Sequence, residues 1–220
     1  YPFGTTSTAV TDGIAQYIPF LSELKSKIIE GSSLLFSWHA SGGYNFWATI
    51  GYYLASPFNL IALLFPIERM SEAFSLITLI KPVFIALTFG IFLKHTYKKN
   101  DLSIVIFSVL WAVSGFMLGG LNFTSWYDAI IWFPLAIMGL HKLMNGESAW
   151  QYALFLGLTI TANFYIGWIV CIFCVIYFIY SYNNMGDFMY NVIKNYIDGM
   201  SISSFNKMAL NNDIVFSYEE

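Results

Sequence analysis

Residues 72–93 read EAFSLITLIKPVFIALTFGIFL, an apolar run with a single lysine, Lys81, near its centre. A helix rises roughly 1.5 Å per residue, so this run is long enough to cross the ~30 Å hydrocarbon core of a bilayer. It ends in KHTYKKND at residues 94–101, the most basic connector in the sequence. The positive-inside rule assigns such a connector to the cytoplasm. The stretch therefore predicts a membrane-spanning helix that runs inward.

The composition of the whole chain supports a membrane protein. Of its 220 residues, 57% are hydrophobic and only 10% are charged, against about 25% charged in soluble proteins. The net charge of −3 provides no basic surface for nucleic acid. We therefore predict an all-α, polytopic transmembrane helix bundle in a bacterial cell membrane, with the lipid bilayer as a partner and no nucleic acid.

The other apolar runs extend this bundle. Residues 102–121 are predicted to run outward and residues 128–144 to return. Residues 150–182 are too long for one span of about 20 residues, and the polar Asn163 near their middle predicts two helices. Residues 46–66 are broken by glycine and proline. Because residues 1–45 then belong on the outer face, we expect this stretch to form short interfacial helices rather than a span.

The sequence before the first clear span predicts an amphipathic helix on the outer face. Asp12 or Thr11 is expected to cap its start and Gly31 to end it. Its apolar stripe comprises Ile14, Tyr17, Ile18, Leu21, Leu24 and Ile28, with Glu23, Lys25, Lys27 and Glu30 facing water. The predicted organisation is an outer-face region at 1–66, a helix bundle at 67–182, and a polar tail at 183–220 that suggests an incomplete chain.

Asp12 is the strongest candidate for chemistry in this outer region. A carboxylate at the membrane surface can act as a general base on a hydroxyl or ligate a divalent cation. The competing interpretation is a helix cap. Gln16 and Tyr17 follow one turn later and are candidates to bind a sugar or phosphate, or are ordinary surface polarity with an interfacial aromatic.

Six further residues are candidates with an ordinary structural alternative. Asp128 stands at the mouth of a span, where an acid is a functional hypothesis by default but also favours the helix dipole. Lys81 either neutralises a lipid phosphate or extends its charge to the interface. His39 is a possible phosphate or metal contact, or an interfacial residue. The remaining candidates for substrate binding are Asn45, Asn163 and Tyr165, the last two alternatively bonding between helices.

Several short motifs resemble the bacterial YfhO family of membrane proteins. They are YPFG at residues 1–4, DGIAQY with PF at 12–20, FSW at 36–38, GGYNF at 42–46, YYLASPFN at 52–59, WYDA at 126–129 and NFYIG at 163–167. The resemblance covers about residues 1–182. The sequence lacks the first span of that family, so we expect a preceding span to be missing. The resemblance does not continue after about residue 183.

The resemblance implies a glycosyltransferase of the GT-C fold. Such enzymes take a sugar from a polyprenyl-phosphate carrier and add it to a cell-surface polymer such as a teichoic acid. A catalytic acid in their first outer loop corresponds by position to Asp12, and Asp128 is a looser match to a second acid. Cofactors are undetermined, with Mg²⁺ or Mn²⁺ on Asp12 left open.

Two other function classes remain open from the sequence. A transporter or flippase of lipid-linked sugars would use Lys81, Asp128 and Asn163 along a route through the bundle. It should also show inverted repeats, which the sequence does not. A non-catalytic membrane scaffold needs none of these residues, and replacement of Asp12 would leave its assembly intact.

Overall fold

The computed structural model describes residues 9–39, 42–120 and 123–199. This part of the chain is almost entirely helical, which confirms the predicted all-α class. Contacts divide the chain into two compact units, residues 1–174 and 175–220, and the first contains every candidate residue. The regular elements are α1 Ile18–Glu30, β1 Phe36–Ser37, β2 Tyr44–Asn45, α2 Phe46–Thr49, α3 Met70–Tyr97, α4 Leu102–Ala112, α5 Gly115–Gly119, α6 Thr124–Met144, α7 Trp150–Ala162 and α8 Phe164–Gly199.

Three helical stretches are long and apolar enough to cross a membrane within the described residues: Ile67–Tyr97, Leu102–Gly119 and Phe164–Asn183. These spans make the protein a multi-pass membrane protein, as predicted. α6 was predicted as a further span. It has the length but is not among the stretches apolar enough to span. Its polar residues Thr124, Ser125 and Asp128 lie in the protein interior.

Residues 46–64 form short helices, as their glycines and prolines predict. α2 continues into a π-helix at Ile50–Leu54, and after Ala55 and Ser56 a 3₁₀-helix follows at Pro57–Leu64. The two halves meet at 102°, the geometry of a broken span or a re-entrant loop. Pro57 begins the second half, where its fixed φ and missing N–H are tolerated. The bend brings Ser56 to the bundle.

α6 lies at the centre of the bundle and packs most extensively against α7 and α3. A Cβ on Gly139 of α6 would lie 2.5 Å from the backbone nitrogen of Tyr152 in α7, so glycine permits this close contact. α7 ends at Asn163, as predicted, and α8 turns back along it. Gly167 and Ile160 approach equally closely across that turn. Asn163 and the start of α6 therefore meet at one end of the bundle.

The amphipathic helix has the predicted extent, and four of the six residues of its apolar stripe pack in or against the core as predicted, but most of its charged face does not face water. Glu23, Lys25 and Lys27 were expected to face water, yet each is about nine-tenths buried. Ile14 and Ile28, from the expected apolar stripe, are 61% and 47% exposed. The physical reason is that the buried ammonium groups bond to backbone carbonyls of the following segments.

The chain beyond residue 183 differs from the predicted tail in its first part. α8 continues to Gly199, so residues 183–199 are helical. The rest of the predicted tail, residues 200–220, lies outside the described residues, as do residues 1–8 of the predicted outer-face region.

Candidate functional site

The turn that carries Asp12 is strained and closely packed. Thr11, just before it, has φ +45°, a left-handed conformation that is costly for a β-branched residue. A π-helix follows at Gly13–Tyr17, a geometry that occurs often at functional sites. Gly13 packs against α3, where an added Cβ would lie 3.1 Å from the Ala9 Cβ and 3.3 Å from the Phe74 ring. The backbone at Asp12 is therefore fixed by its surroundings.

The Asp12 side chain does not cap the helix, so that interpretation is wrong. Asp12 occupies the N-cap position but makes no capping hydrogen bond. Its Oδ1 instead accepts a hydrogen bond of 3.4 Å from Gln16 Nε2. Within the described residues, Gln16 is the one hydrogen-bond donor to this half-buried carboxylate. With respect to the described residues, the carboxylate thus retains acceptor capacity for a hydroxyl.

Tyr53 orients Gln16 toward Asp12. The Tyr53 hydroxyl donates a 2.6 Å hydrogen bond to Gln16 Oε1, which leaves the Gln16 amide nitrogen directed to the carboxylate. The Tyr53 ring packs edge-on against Tyr17, with centroids 5.2 Å apart. Tyr53 was not among the sequence candidates. Tyr53 lies in the apolar YYLASPFN run, and only the fold brings it next to Gln16, which is 37 positions earlier in the chain.

Tyr17 is a buried anchor rather than an exposed binding residue. Its ring is 3% exposed, and its hydroxyl lies 2.8 Å from Ser125 Oγ at the start of α6. Burial raises the pKa of Tyr17 to about 12, so the phenol stays neutral. Tyr17 therefore fixes the Asp12 turn to the bundle, and the structure does not bring it to a surface where a sugar would bind.

Asp128 and Lys81 form a buried ion pair. Lys81 Nζ lies 2.5 Å from Asp128 Oδ2 and donates a second hydrogen bond, of 2.8 Å, to the Thr124 carbonyl. Asp128 Oδ1 accepts a 2.7 Å hydrogen bond from Ser56 Oγ. Both charged side chains are at most 1% exposed. Each functional role predicted for them requires access to a ligand, and this geometry gives neither residue that access.

Asn163 belongs to a second buried group of hydrogen bonds, next to the ion pair. Its Nδ2 donates to the Tyr52 carbonyl at 2.9 Å and approaches Ser125 Oγ at 3.4 Å. Its Oδ1 accepts from the Ile166 backbone nitrogen and so caps α8. Asn163 is fully buried and acts between helices, the alternative that the sequence left open. Tyr165 points elsewhere and is 52% exposed.

His39 and Asn45 lie on the short hairpin of β1 and β2. Asn45 Oδ1 accepts from Ala48 N and caps α2. His39 is exposed, and its Nδ1 lies 3.3 Å from Glu23 Oε1. Tyr44 donates to the other Glu23 oxygen at 2.9 Å, and burial together with this carboxylate raises the pKa of Tyr44 to about 12. Neither candidate is brought into contact with Asp12 by these bonds.

The described residues show no ready-made metal site. No three His, Cys, Asp or Glu side chains among them group closely enough to hold a metal ion. Mg²⁺ is often held by one or two carboxylates together with substrate phosphates and water. Asp12 therefore fits a cation only as a single ligand that shares it with a bound substrate.

An apolar cleft of about 330 Å³ lies between α4, α5, α6 and the start of α8. Trp111, Met117, Phe133, Ile169 and Phe173 contribute to its walls. None of the predicted site residues lines it. Ala129 lines the cleft and directly follows Asp128 in α6, so the cleft lies beside the buried ion pair.

Comparison with known proteins assigns the family. The family described as "Bacterial membrane protein YfhO" matches residues 1–210. The chain belongs to the YfhO family. One YfhO relative, from Bacillus subtilis (strain 168), is named "Uncharacterized protein YfhO". It is 26% identical over 191 residues, which cover 80% of this chain but only 22% of that relative. No solved structure matches the chain.

Proposed function

We propose that this chain forms part of a membrane glycosyltransferase that transfers a sugar from a polyprenyl-phosphate carrier to a cell-surface polymer such as a teichoic acid. Family membership supports a bacterial membrane protein, and the relative is far longer than this chain. The observation that carries the proposal is the Asp12 carboxylate. It is half-buried, held by a strained turn and left with acceptor capacity.

In this proposal Asp12 is the general base. It accepts the proton of the acceptor hydroxyl while that oxygen bonds to the anomeric carbon, and the bond from that carbon to the carrier phosphate breaks. One carboxylate suffices for a single inverting displacement, whereas glycoside hydrolysis uses two. Gln16 positions the carboxylate, and Tyr53 positions Gln16.

Three of the described lysines, Lys25, Lys27 and Lys81, do not supply a partner for the leaving phosphate. Lys25 and Lys27 bond to backbone carbonyls, and Lys81 is buried against Asp128. Transfer from a lipid phosphate requires positive charge or hydrogen-bond donors at the leaving group. The proposal therefore assigns that role to the rest of the full-length protein or to a cation shared with Asp12.

The transporter alternative loses the residues on which it depended. Lys81, Asp128 and Asn163 were its predicted route, but all three are buried: Lys81 and Asp128 pair with each other, and Asn163 bonds to the Tyr52 carbonyl. The bent segment at 46–64 is a feature that transporters also use. The polar groups of this bent segment bond to the bundle, so the segment provides no polar path along Lys81, Asp128 and Asn163.

The test is Asp12→Asn in the full-length protein. Removal of a general base should lower sugar transfer by about 10²–10⁴-fold. The assay uses membranes supplied with radiolabelled polyprenyl-phosphate hexoses and N-acetylhexosamines, and measures label in polymer. Glu30→Gln is the matched control, because Glu30 is an exposed acid on the same helix. Full transfer by Asp12→Asn would show that Asp12 is not the base.

A further inference from the structure

An exposed apolar surface lies at the end of α1 and in the loop after it. Its five members are all more than two-fifths exposed: Ile28, Ile29, Leu35, Phe36 and Trp38. We call it the loop surface. Trp38, at 76%, is the most exposed of them, and its ring packs edge-on against Phe36 with centroids 4.8 Å apart. Several large apolar side chains exposed close together in the sequence mark a candidate interaction site.

Two buried lysines hold this surface together. Lys27 donates 2.9 Å hydrogen bonds to the carbonyls of Ser33 and Phe36, which ties the loop to α1. Lys25 donates to the carbonyls of Leu63 and Phe65, at the end of the 3₁₀-helix. Neither ammonium group is free to attract an anionic headgroup. This is the reverse of an ordinary interfacial helix, which keeps its lysines on the exposed polar face.

The Lys25 contact joins α1, which carries Ile28 and Ile29 of the loop surface, to a second exposed apolar segment. The helix that it reaches includes Leu60 and Leu64, which are 64% and 83% exposed. That helix is half of the bent pair that is apolar enough to enter a membrane. A tryptophan at the edge of such a segment is typical of the membrane–water interface.

We propose that the loop surface is seated in the bilayer interface and contacts lipid through apolar burial alone. The occupant is the lipid surface itself, because the patch adjoins a membrane-entering helix. Buried lysines make this contact independent of anionic lipid and of salt. The inference does not depend on the proposed glycosyltransferase activity, since it uses neither Asp12 nor the cleft.

The test places spin labels on neighbouring residues of the full-length protein, in a background whose native cysteines are replaced by alanine. Ile29→Cys reports the loop surface, and Glu30→Cys, an exposed polar neighbour, is its matched control. Leu35→Cys and Ser32→Cys form a second pair. The protein is reconstituted in phosphatidylcholine vesicles. Collisions of each label with oxygen, which concentrates in lipid, and with a water-soluble nickel chelate are measured.

Labels at 29 and 35 are expected to collide mainly with oxygen, and labels at 30 and 32 mainly with nickel. Addition of phosphatidylglycerol or salt should leave these ratios unchanged. Nickel access at 29 and 35 would place the surface in water and overturn the proposal. Low access of both reagents to these labels would show that protein covers the loop surface, and this result would also overturn the proposal. A dependence on anionic lipid would contradict contact by apolar burial alone. Far-UV circular dichroism identifies any variant that fails to fold, and the other label pair then decides.

Discussion

The two acids that the sequence singles out occupy opposite environments. Asp12 lies in a strained turn, half-buried, with Gln16 as its donor among the described residues. Asp128 is fully buried, and both of its oxygens are bonded, one to Lys81 and the other to Ser56. The Asp12 region is therefore built to present a carboxylate, and the Asp128 region to neutralise one.

This difference shows that partners, not depth alone, decide what a membrane carboxylate does. An acid near a span is a functional hypothesis by default. Asp128 satisfies that description but has its charge matched by Lys81. Its network joins the bent segment, α3 and α6 through Ser56, Lys81 and Thr124. The buried acid Asp128 thus stabilises the part of the bundle against which the half-buried Asp12 turn packs.

The largest expected effect is loss of stability on breaking the ion pair. Asp128→Ala leaves the Lys81 ammonium buried without its counter-charge, which should cost about 3–5 kcal/mol. The free energy of unfolding of the full-length protein is measured by sodium dodecyl sulfate titration in mixed micelles. By contrast, Asp12→Asn should change that free energy by only about 0.5 kcal/mol or less, because it removes no buried partner.

A double variant distinguishes the effect of the unpaired charge from the effect of lost side-chain packing. The double variant Lys81→Met with Asp128→Leu removes both charges, and should recover most of the lost stability, since apolar replacement of a buried pair is often neutral. If Asp128→Ala alone proved as stable as the wild type, the contrast between the two acids would not hold.

The sequence predicts the helices better than it predicts which side chains contact each other. The span at Ile67–Tyr97 and the break at Asn163 follow from apolar length and one polar interruption. Lys81 and Asp128 were both noticed, yet nothing local links residues 47 positions apart. Their pairing depends on how α3 packs against α6. For the same reason Tyr53 and Ser56 carried no signal within their apolar run.

The charged face of α1 shows where periodicity fails. An apolar stripe at helical spacing predicts the buried face when water covers the other side. Here Lys25 and Lys27 instead satisfy the backbone carbonyls of the loop and the 3₁₀-helix. Carbonyls that end short helices need donors, and that need is set by the following segments, not by the helix itself.

A smaller loss is expected where Asn163 caps α8. Asn163→Ala removes the cap and the donor to the Tyr52 carbonyl, which together should cost about 1–2 kcal/mol. Asn145→Ala is a matched control that changes an asparagine next to another helix end, at the end of α6. The same detergent titration measures both. An equal loss of unfolding free energy at the two positions would argue that the hydrogen bonds of Asn163 contribute no more than an ordinary helix end.

The smallest expected effect tests whether strain holds Asp12 in place. Glycine adopts the φ of +45° found at Thr11 without steric cost, so Thr11→Gly should stabilise the protein by about 0.5–1 kcal/mol. The freer backbone should at the same time lower sugar transfer several-fold, because the carboxylate is less firmly positioned. Thr11→Ala is the control, since it removes the side-chain branch but retains the left-handed penalty. Higher stability with unchanged transfer would mean that the turn is strained for a reason other than presenting Asp12.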